Sequence, residues 1–571
     1  MLSLLEMNPL AYLFYFLFFH LTLLLPGYVF LVKQGKIKNH NELIAFSYVL
    51  SLVAFSGLFL FGYLLKINST VMMLASWLLL IVPGYFLLKE GLYRTFRPTL
   101  SWVVILVASL ISIIFVTLPI QTTYKYIPDP QPIEGRVYEK AFNFKILNLA
   151  HTQANDNYIP FRQAQFLVNR LNIKTESFIS EWSVNFFFRT PLTGVISSYY
   201  FQLLGTNLPE EYLWANPTPE ANGAYIQFQI LATTLNFLFV AFAFLLIKAI
   251  FNHKVASLTT LLVIFSPFFL YNSFFTWPKS FVAFFVLGSW YLLFTRRSIW
   301  VAGALAGLAY LTHDLAVLYL AGSVLFLLLS KRWLDTLRYL LVFVLIALPW
   351  LLIARLGYKQ GSLFFYYPFS LYDIPVHPER VIPEFFSTPV TKILGIKYES
   401  LSYLITPYSL LKETSKTLLE RIQLDSLYSI PGAVGLLLAV FGYGGVIGSF
   451  VRRYKEIFSF LLAPLLASII VIGWPKGLGA LHFAEAIVPL LVAFGVSLLL
   501  KFGPKLFTLV MAAMVTQYFI VFFGIYNYDL TNWLADPTTV AKLAVLAIAF
   551  VGTIWWGVKV WQEEPKTDSA Q

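Results

Sequence analysis

His313 and Asp314 are ionisable residues at the tip of an apolar hairpin that is too short to carry them to a membrane surface. Region 298–330 is apolar on both sides of Thr312-His313-Asp314 and would have to cross a bilayer twice in 33 residues. Two full crossings take about 40 residues. The tip is therefore expected below the surface. The same count recesses Ser273–Lys279, between the apolar runs 255–273 and 280–295. An ionisable group at such depth costs roughly 2.5–3.5 kcal/mol on insertion scales, so it usually faces a cavity and acts there. His313, Asp314 and Lys279 are the first candidates for chemistry on that ground.

The elements that must position them are membrane spans. The chain has 571 residues, of which 58% are hydrophobic and only 12% charged. Apolar runs near twenty residues recur from end to end, which a soluble domain does not carry. Ten-residue alternating strands are absent, so a β-barrel is not the reading. The expected class is an all-α polytopic membrane protein with about 15 spans (range 13–15). They are placed at 9–32, 43–65, 70–88, 99–120, 225–247, 255–273, 280–295, 298–311, 315–330, 338–354, 430–450, 457–473, 480–500, 506–526 and 539–558. The first is too long for a signal-peptide core and follows Glu6 rather than a basic region, so it reads as a retained span. There are no cysteines, which excludes disulfides, thiolate nucleophiles and Cys-ligated metals. Gly303/Gly307 and Gly444/Gly448 have GxxxG spacing and are expected to let helices pack closely.

Orientation follows from the charges. Every second connection is basic, from Lys33, Lys36 and Lys38 through Lys89, Arg94 and Arg97 to Lys559 and Lys566. These connections hold 20 basic residues; the opposite short ones hold only Lys66, Lys279, Lys476 and Lys542. The basic set should be cytoplasmic. The net charge of +12 is thus explained by membrane orientation, with no call for nucleic acid. The amino terminus is expected outside and the carboxyl terminus inside, in a bacterial plasma membrane. Loops 121–224 and 355–429 then share the extracytoplasmic side. Thr190–Leu204 is apolar enough to be mistaken for a span, but a crossing there would turn every later basic loop outward. It is expected to be a helix in the outer interface.

The first outer loop opens with Pro128-Asp129-Pro130-Gln131-Pro132, a stiff extended stretch. Asn155-Asp156-Asn157-Tyr158 then precedes Phe161–Leu171, whose Phe161, Ala164, Val168 and Leu171 fall on one helical face. Arg189-Thr190-Pro191-Leu192 opens the interfacial stretch. In the second loop, Lys412–Arg421 is expected to be one exposed charged helix. No P-loop or dinucleotide fingerprint occurs.

These residues resemble a family. Asp156 and Tyr158 stand before an aromatic amphipathic helix, and Arg189-Thr190-Pro191-Leu192 leads an apolar helix ending at Leu204-Gly205. Phe265-Ser266-Pro267-Phe268-Phe269, Trp277-Pro278-Lys279, Ala302–Thr312 and His482-Phe483-Ala484-Glu485 follow in order. The order is similar to that of the GT-C superfamily of membrane glycosyltransferases, in its protein mannosyltransferase and aminoarabinose transferase branch. The resemblance covers about 99–500. It leaves 1–98 as extra amino-terminal spans and 501–571 as carboxyl-terminal spans with a short tail. The chain departs from the family at the flanks of Asp156, at His313-Asp314 and at His482-Phe483.

The resemblance implies an enzyme that takes a sugar from a polyprenyl-phosphate carrier and hands it to an acceptor outside the cytoplasm. Its partners would be that donor and membrane lipids. Asp156 is the implied general base, with Asp129 second. Lys279, Arg189, His313, Asp314, His482 and Glu485 are candidates for substrate or phosphate contacts, where a cation can offset charge on the departing phosphate. Each has a structural alternative. Asp156 could cap a helix, Asp129 belong to a proline-rich turn, Lys279 snorkel, and His313 with Asp314 close the hairpin. His482 and Glu485 lie within one helical turn, but one histidine and one glutamate do not make a metal site. No metal is assigned, and a divalent ion stays open. A lipid or glycan transporter, or a non-catalytic relative, is the alternative function.

Overall fold

A computed structural model describes residues 9–118, 120–126, 140–147, 158–173, 186–208, 219–274, 276–357, 369, 371, 378–452, 455–471, 485–525, 534 and 537–562. Asp129, Asp156 and His482 lie outside the described residues. The chain forms two compact units.

The first unit is mostly Met1–Ala241. It contains α1 (Pro9–Gln34), α2 (His40–Leu64), α3 (Ser69–Lys89), α4 (Leu100–Thr117), α5 (Tyr158–Val168), α6 (Leu192–Leu204) and α7 (Pro219–Phe237). A two-stranded antiparallel sheet, β1 (Ile120–Tyr126) with β2 (Lys140–Leu147), is an addition to the expected all-α class.

The second unit is mostly Phe242–Asn272 and Lys279–Asn527. It begins within α8 (Phe239–Ile250) and continues with α9 (His253–Val263), α10 (Pro267–Phe274), α11 (Lys279–Phe294), α12 (Ile299–Thr312), α13 (Val317–Leu329) and α14 (Trp333–Leu352). Then come α15 (Pro378–Ser387), α16 (Val390–Ile405), α17 (Tyr408–Lys412), α18 (Leu418–Tyr428), α19 (Ile430–Val434) and α20 (Leu436–Arg452). The last helices are α21 (Lys455–Val471), α22 (Ile487–Phe502), α23 (Pro504–Ile525) and α24 (Pro537–Gln562).

Among the described residues, each of the fifteen expected apolar segments contains helix. By length and composition seven are able to cross a membrane, and α9 with α10, bent by 56°, makes an eighth; seven more are apolar but have only 10–17 residues. The short ones include α11, α12 and α13. At 1.5 Å per residue a 14-residue helix reaches about 21 Å, well short of a hydrocarbon core about 30 Å thick. The turn between α12 and α13 is buried within the protein, with Thr312, His313 and Asp314 each at most 2% exposed.

Three expectations change in detail. Helix α6 exposes no broad face, since eleven of its residues, including Thr193, Val195, Tyr199 and Phe201, are buried. The predicted Lys412–Arg421 helix is broken. Helix α17 stops at Lys412, and α18 starts afresh at a capping box in which Thr417 and Glu420 exchange side-chain to backbone hydrogen bonds. The Asp425 carboxylate reaches back to accept the N–H groups of Ser409 and Leu410, both at 2.9 Å, which holds the two pieces together.

The third change concerns the glycines. Gly303 and Gly307 do form a close crossing. A methyl group there would stand 2.7 Å from the Tyr339 carbonyl oxygen and 2.7 Å from Ile346 Cβ, both on α14. On α20 the close approach falls elsewhere. Gly442 and Gly445 face the carbonyls of Leu491 and Phe494 on α22, while Gly448 has nothing within 4 Å and Gly444 meets only Leu498 at 3.4 Å. Gly303→Ala and Gly445→Ala should each destabilise the purified chain by about 1–3 kcal/mol, as over-packing does. Gly448→Ala should stay within about 0.5 kcal/mol. Unfolding in detergent checks the contrast, and equal effects at 445 and 448 would contradict this packing.

Candidate functional site

In the first unit, polar side chains collect where α5 meets the start of α6. Pro191 fits the end of the loop because its fixed φ suits a helix start and its missing N–H leaves no donor to satisfy. The first intrahelical bond of α6 is Val195 N–H to the Pro191 carbonyl, and no side chain caps the helix. The N–H groups of Leu192, Thr193 and Gly194 precede that bond, so their donors point out of the helix end. The Thr190 and Thr193 hydroxyls flank this end, are buried, and have no hydrogen-bond partner among the described residues. Arg189, half-buried, is the residue before them.

Helix α5 holds this corner in place. Gln163 is wholly buried, and its side-chain amide donates to the carbonyls of Phe186 (3.0 Å) and Arg189 (2.9 Å). Gly194 permits the crossing, since a methyl group there would stand 2.7 Å from Gln163 Cβ. Arg162, also buried, donates to Gln165 at 3.2 Å and lies 4.8 Å from the centre of the Phe166 ring. An uncapped helix start, two unpartnered hydroxyls and an adjacent guanidinium are the groups an oxyanion needs: oriented N–H donors, the positive end of the helix dipole, and a charged fork.

In the second unit, Lys279, Glu485, His313 and Asp314 gather at one end of the helices. Helices α11 and α12 pair as a hairpin, which brings Lys279 at the start of α11 to the level where α12 ends at Thr312. Helix α13 begins from the same turn. Its Tyr319 donates a hydrogen bond to Glu485 Oε2 at 3.1 Å, and the Ala486 N–H reaches the same hydroxyl at 3.4 Å. Glu485 is 1% exposed and Lys279 4%. The two interact electrostatically. Their attraction offsets part of the cost of burying each charge. Glu485 Oε1 has no hydrogen-bond partner among the described residues.

His313 and Asp314 work inside the hairpin tip. His313 Nδ1 accepts the Leu315 N–H at 3.2 Å and lies 2.9 Å from Asp314 Oδ1. A nitrogen that accepts carries no proton to donate, so these contacts belong to two protonation states of one capped turn. This is the structural alternative named for the pair. Among the described residues no three His, Asp or Glu side chains are placed to share an ion.

The predicted residues therefore fall into separate groups. Arg189 stands in the first unit; Lys279, Glu485, His313 and Asp314 stand together in the second. Sequence reading missed Thr190, Thr193, Gln163 and Tyr319. The Thr-Pro-Leu-Thr run was a usable signal, because hydroxyl residues beside a helix-opening proline mark a helix start. Tyr319 carries no such signal, since its partner is 166 residues away.

No family model matches the chain, and no curated protein matches it. Solved structures do show similarity. The Archaeoglobus fulgidus oligosaccharyltransferase in complex with zinc and sulfate is 16% identical, with 74% of this chain and 53% of that one covered and a TM-score of 0.39. The archaeal oligosaccharyltransferase AglB from Archaeoglobus fulgidus, with an inhibitory peptide and a dolichol-phosphate, is 15% identical, with 75% and 56% covered and a TM-score of 0.42. ArnT from Cupriavidus metallidurans in the apo state is 12% identical, with 69% and 77% covered and a TM-score of 0.30. This chain is similar to each of them in part. It spans a little over half the length of the two archaeal structures.

Tyr319→Phe leaves the buried Glu485 carboxylate without its hydroxyl donor. It should destabilise the chain by about 1–3 kcal/mol. Glu485→Gln in the Tyr319→Phe background should cost less than in the wild type, with a coupling of about 0.5–3 kcal/mol in a double-mutant cycle. Strict additivity would mean that the pair does not act as a unit.

Proposed function

We propose that this chain is an integral-membrane glycosyltransferase of the GT-C type. It moves a sugar from a polyprenyl-phosphate-linked donor to an acceptor hydroxyl on the extracytoplasmic face of a bacterial plasma membrane. The observation that carries this reading is the corner at the start of α6. Thr190 and Thr193 are buried there without partners among the described residues, beside an uncapped helix start and Arg189. The motif order in the sequence supports the same reading.

In the proposed reaction the acceptor oxygen attacks the anomeric carbon as its proton passes to a carboxylate. The bond from that carbon to the phosphate oxygen breaks, and the phosphate leaves with an added negative charge. The start of α6 and Arg189 would hold that charge. Asp156, two residues before α5 begins, is the proposed base; Asp129 is the second candidate. Gln163 gives the proposal a mechanical basis, because it joins α5 to the Arg189 carbonyl. In the second unit, Lys279 remains a proposed polar contact for the substrate. Glu485 fits hydroxyl donors better than phosphate, because its open oxygen is an acceptor.

Two substitutions test the two roles separately. Arg189→Ala should weaken binding of a short-chain polyprenyl phosphate to the purified chain by about 10- to 100-fold, the range for losing a hydrogen bond to a charged group. Unchanged binding would remove the phosphate from this corner. Asp156→Asn should keep that binding and lower sugar transfer by about 10²- to 10⁴-fold. Full transfer in that variant would exclude Asp156 as the base.

A further inference from the structure

Helix α16, within the loop 355–429, carries apolar residues on a face that no described part of the chain covers. Val390, Leu394 and Tyr398 recur every fourth residue and are 70%, 62% and 68% exposed. Residues at this spacing line one side of a helix. The opposite side is packed: Ile396, Ser400, Tyr403 and Leu404 are buried, and α16 touches α19 and α21. Exposed Lys392 lies away from the stripe, two residues on from Val390.

The position of α16 identifies what meets the stripe. Tyr443 donates a hydrogen bond to the Ile405 carbonyl at the end of α16, at 3.0 Å. Tyr443 is not at the mouth of its helix. It lies seven residues past Leu436, the first residue of α20, or roughly 10 Å along the axis. Helix α20 is one of the apolar helices read as spans, and its Leu437, Val440 and Ile447 are 49%, 66% and 68% exposed. The end of α16 is thus pinned beside the exposed apolar side of α20, about two turns in from the start of that helix. A stripe of valine, leucine and tyrosine on a helix tied at its end to so apolar a side fits the boundary between headgroups and acyl chains, where tyrosine concentrates.

We propose that α16 is a membrane-embedded helix that lies in the bilayer interface through Val390, Leu394 and Tyr398, rather than a solvated loop helix. The occupant of the stripe is lipid. The proposal does not depend on the transferase reading and holds whatever the chain catalyses.

The chain contains no cysteine, so single sites can be labelled without background. Leu394→Cys, Tyr398→Cys and Lys392→Cys would each carry a nitroxide in the full-length protein, held in nanodiscs of phosphatidylcholine and phosphatidylglycerol. Collision with oxygen, which partitions into lipid, is compared with collision with a water-soluble nickel chelate. Labels at 394 and 398 should show an oxygen-to-nickel ratio severalfold above that at 392. Equal ratios at all three sites would put the stripe in water and overturn the proposal. Protection from both reagents at 394 and 398 would mean a protein partner or second copy covers it, and would overturn the proposal as well. If Leu394→Cys fails to accumulate, Val390→Cys supplies the same measurement.

Discussion

A helix that ends inside hydrocarbon must have its last polar groups satisfied by protein, because no water reaches them. That constraint organises the second unit. Helices α11, α12 and α13 are short and apolar, and the turn at Thr312-His313-Asp314 and the start of α11 at Lys279 are buried within the protein. The chain answers locally and at long range. His313 and Asp314 close their own turn, and Tyr319 and Lys279 attend to Glu485 from elsewhere in the sequence. Ionisable residues in this region are thus structural parts first, whatever ligand they later meet.

The first unit meets the same constraint differently. Helix α6 is buried on almost every side, yet its start has no capping side chain. Buried hydroxyls without partners are uncommon in folded proteins, and each calls for a physical reason. Here the two threonines and the helix start sit together, next to an arginine. Ser109, Thr259 and Thr260 are buried without partners too among the described residues, so what marks this corner is the uncapped helix start beside its two threonines.

Much of this was legible in the sequence, and the limits have physical causes. Span positions could be read because apolar run length is a one-dimensional signal; among the described residues every expected run contains helix. Counting residues alone pointed to the tip at His313, and the structure buries it within the protein. Packing was less legible. Gly444/Gly448 has the spacing of a packing motif, but Gly442 and Gly445 touch α22, because the rotation of α20 depends on its neighbours and not on its own sequence. The break between α17 and α18 was missed because a capping box competes with helix continuation wherever Thr is followed by Glu at the third position. The link between Tyr319 and Glu485 could not be read at all, since nothing near either residue marks the other.

The Gln163 side chain has a consequence for motion. One amide grips two carbonyls, at Phe186 and Arg189, across a crossing that Gly194 makes tight. A pull on the arginine is therefore felt along α5, as a tug on one end of a stiff lever. A ligand held beside Arg189 would thus be felt at α5 through this one amide.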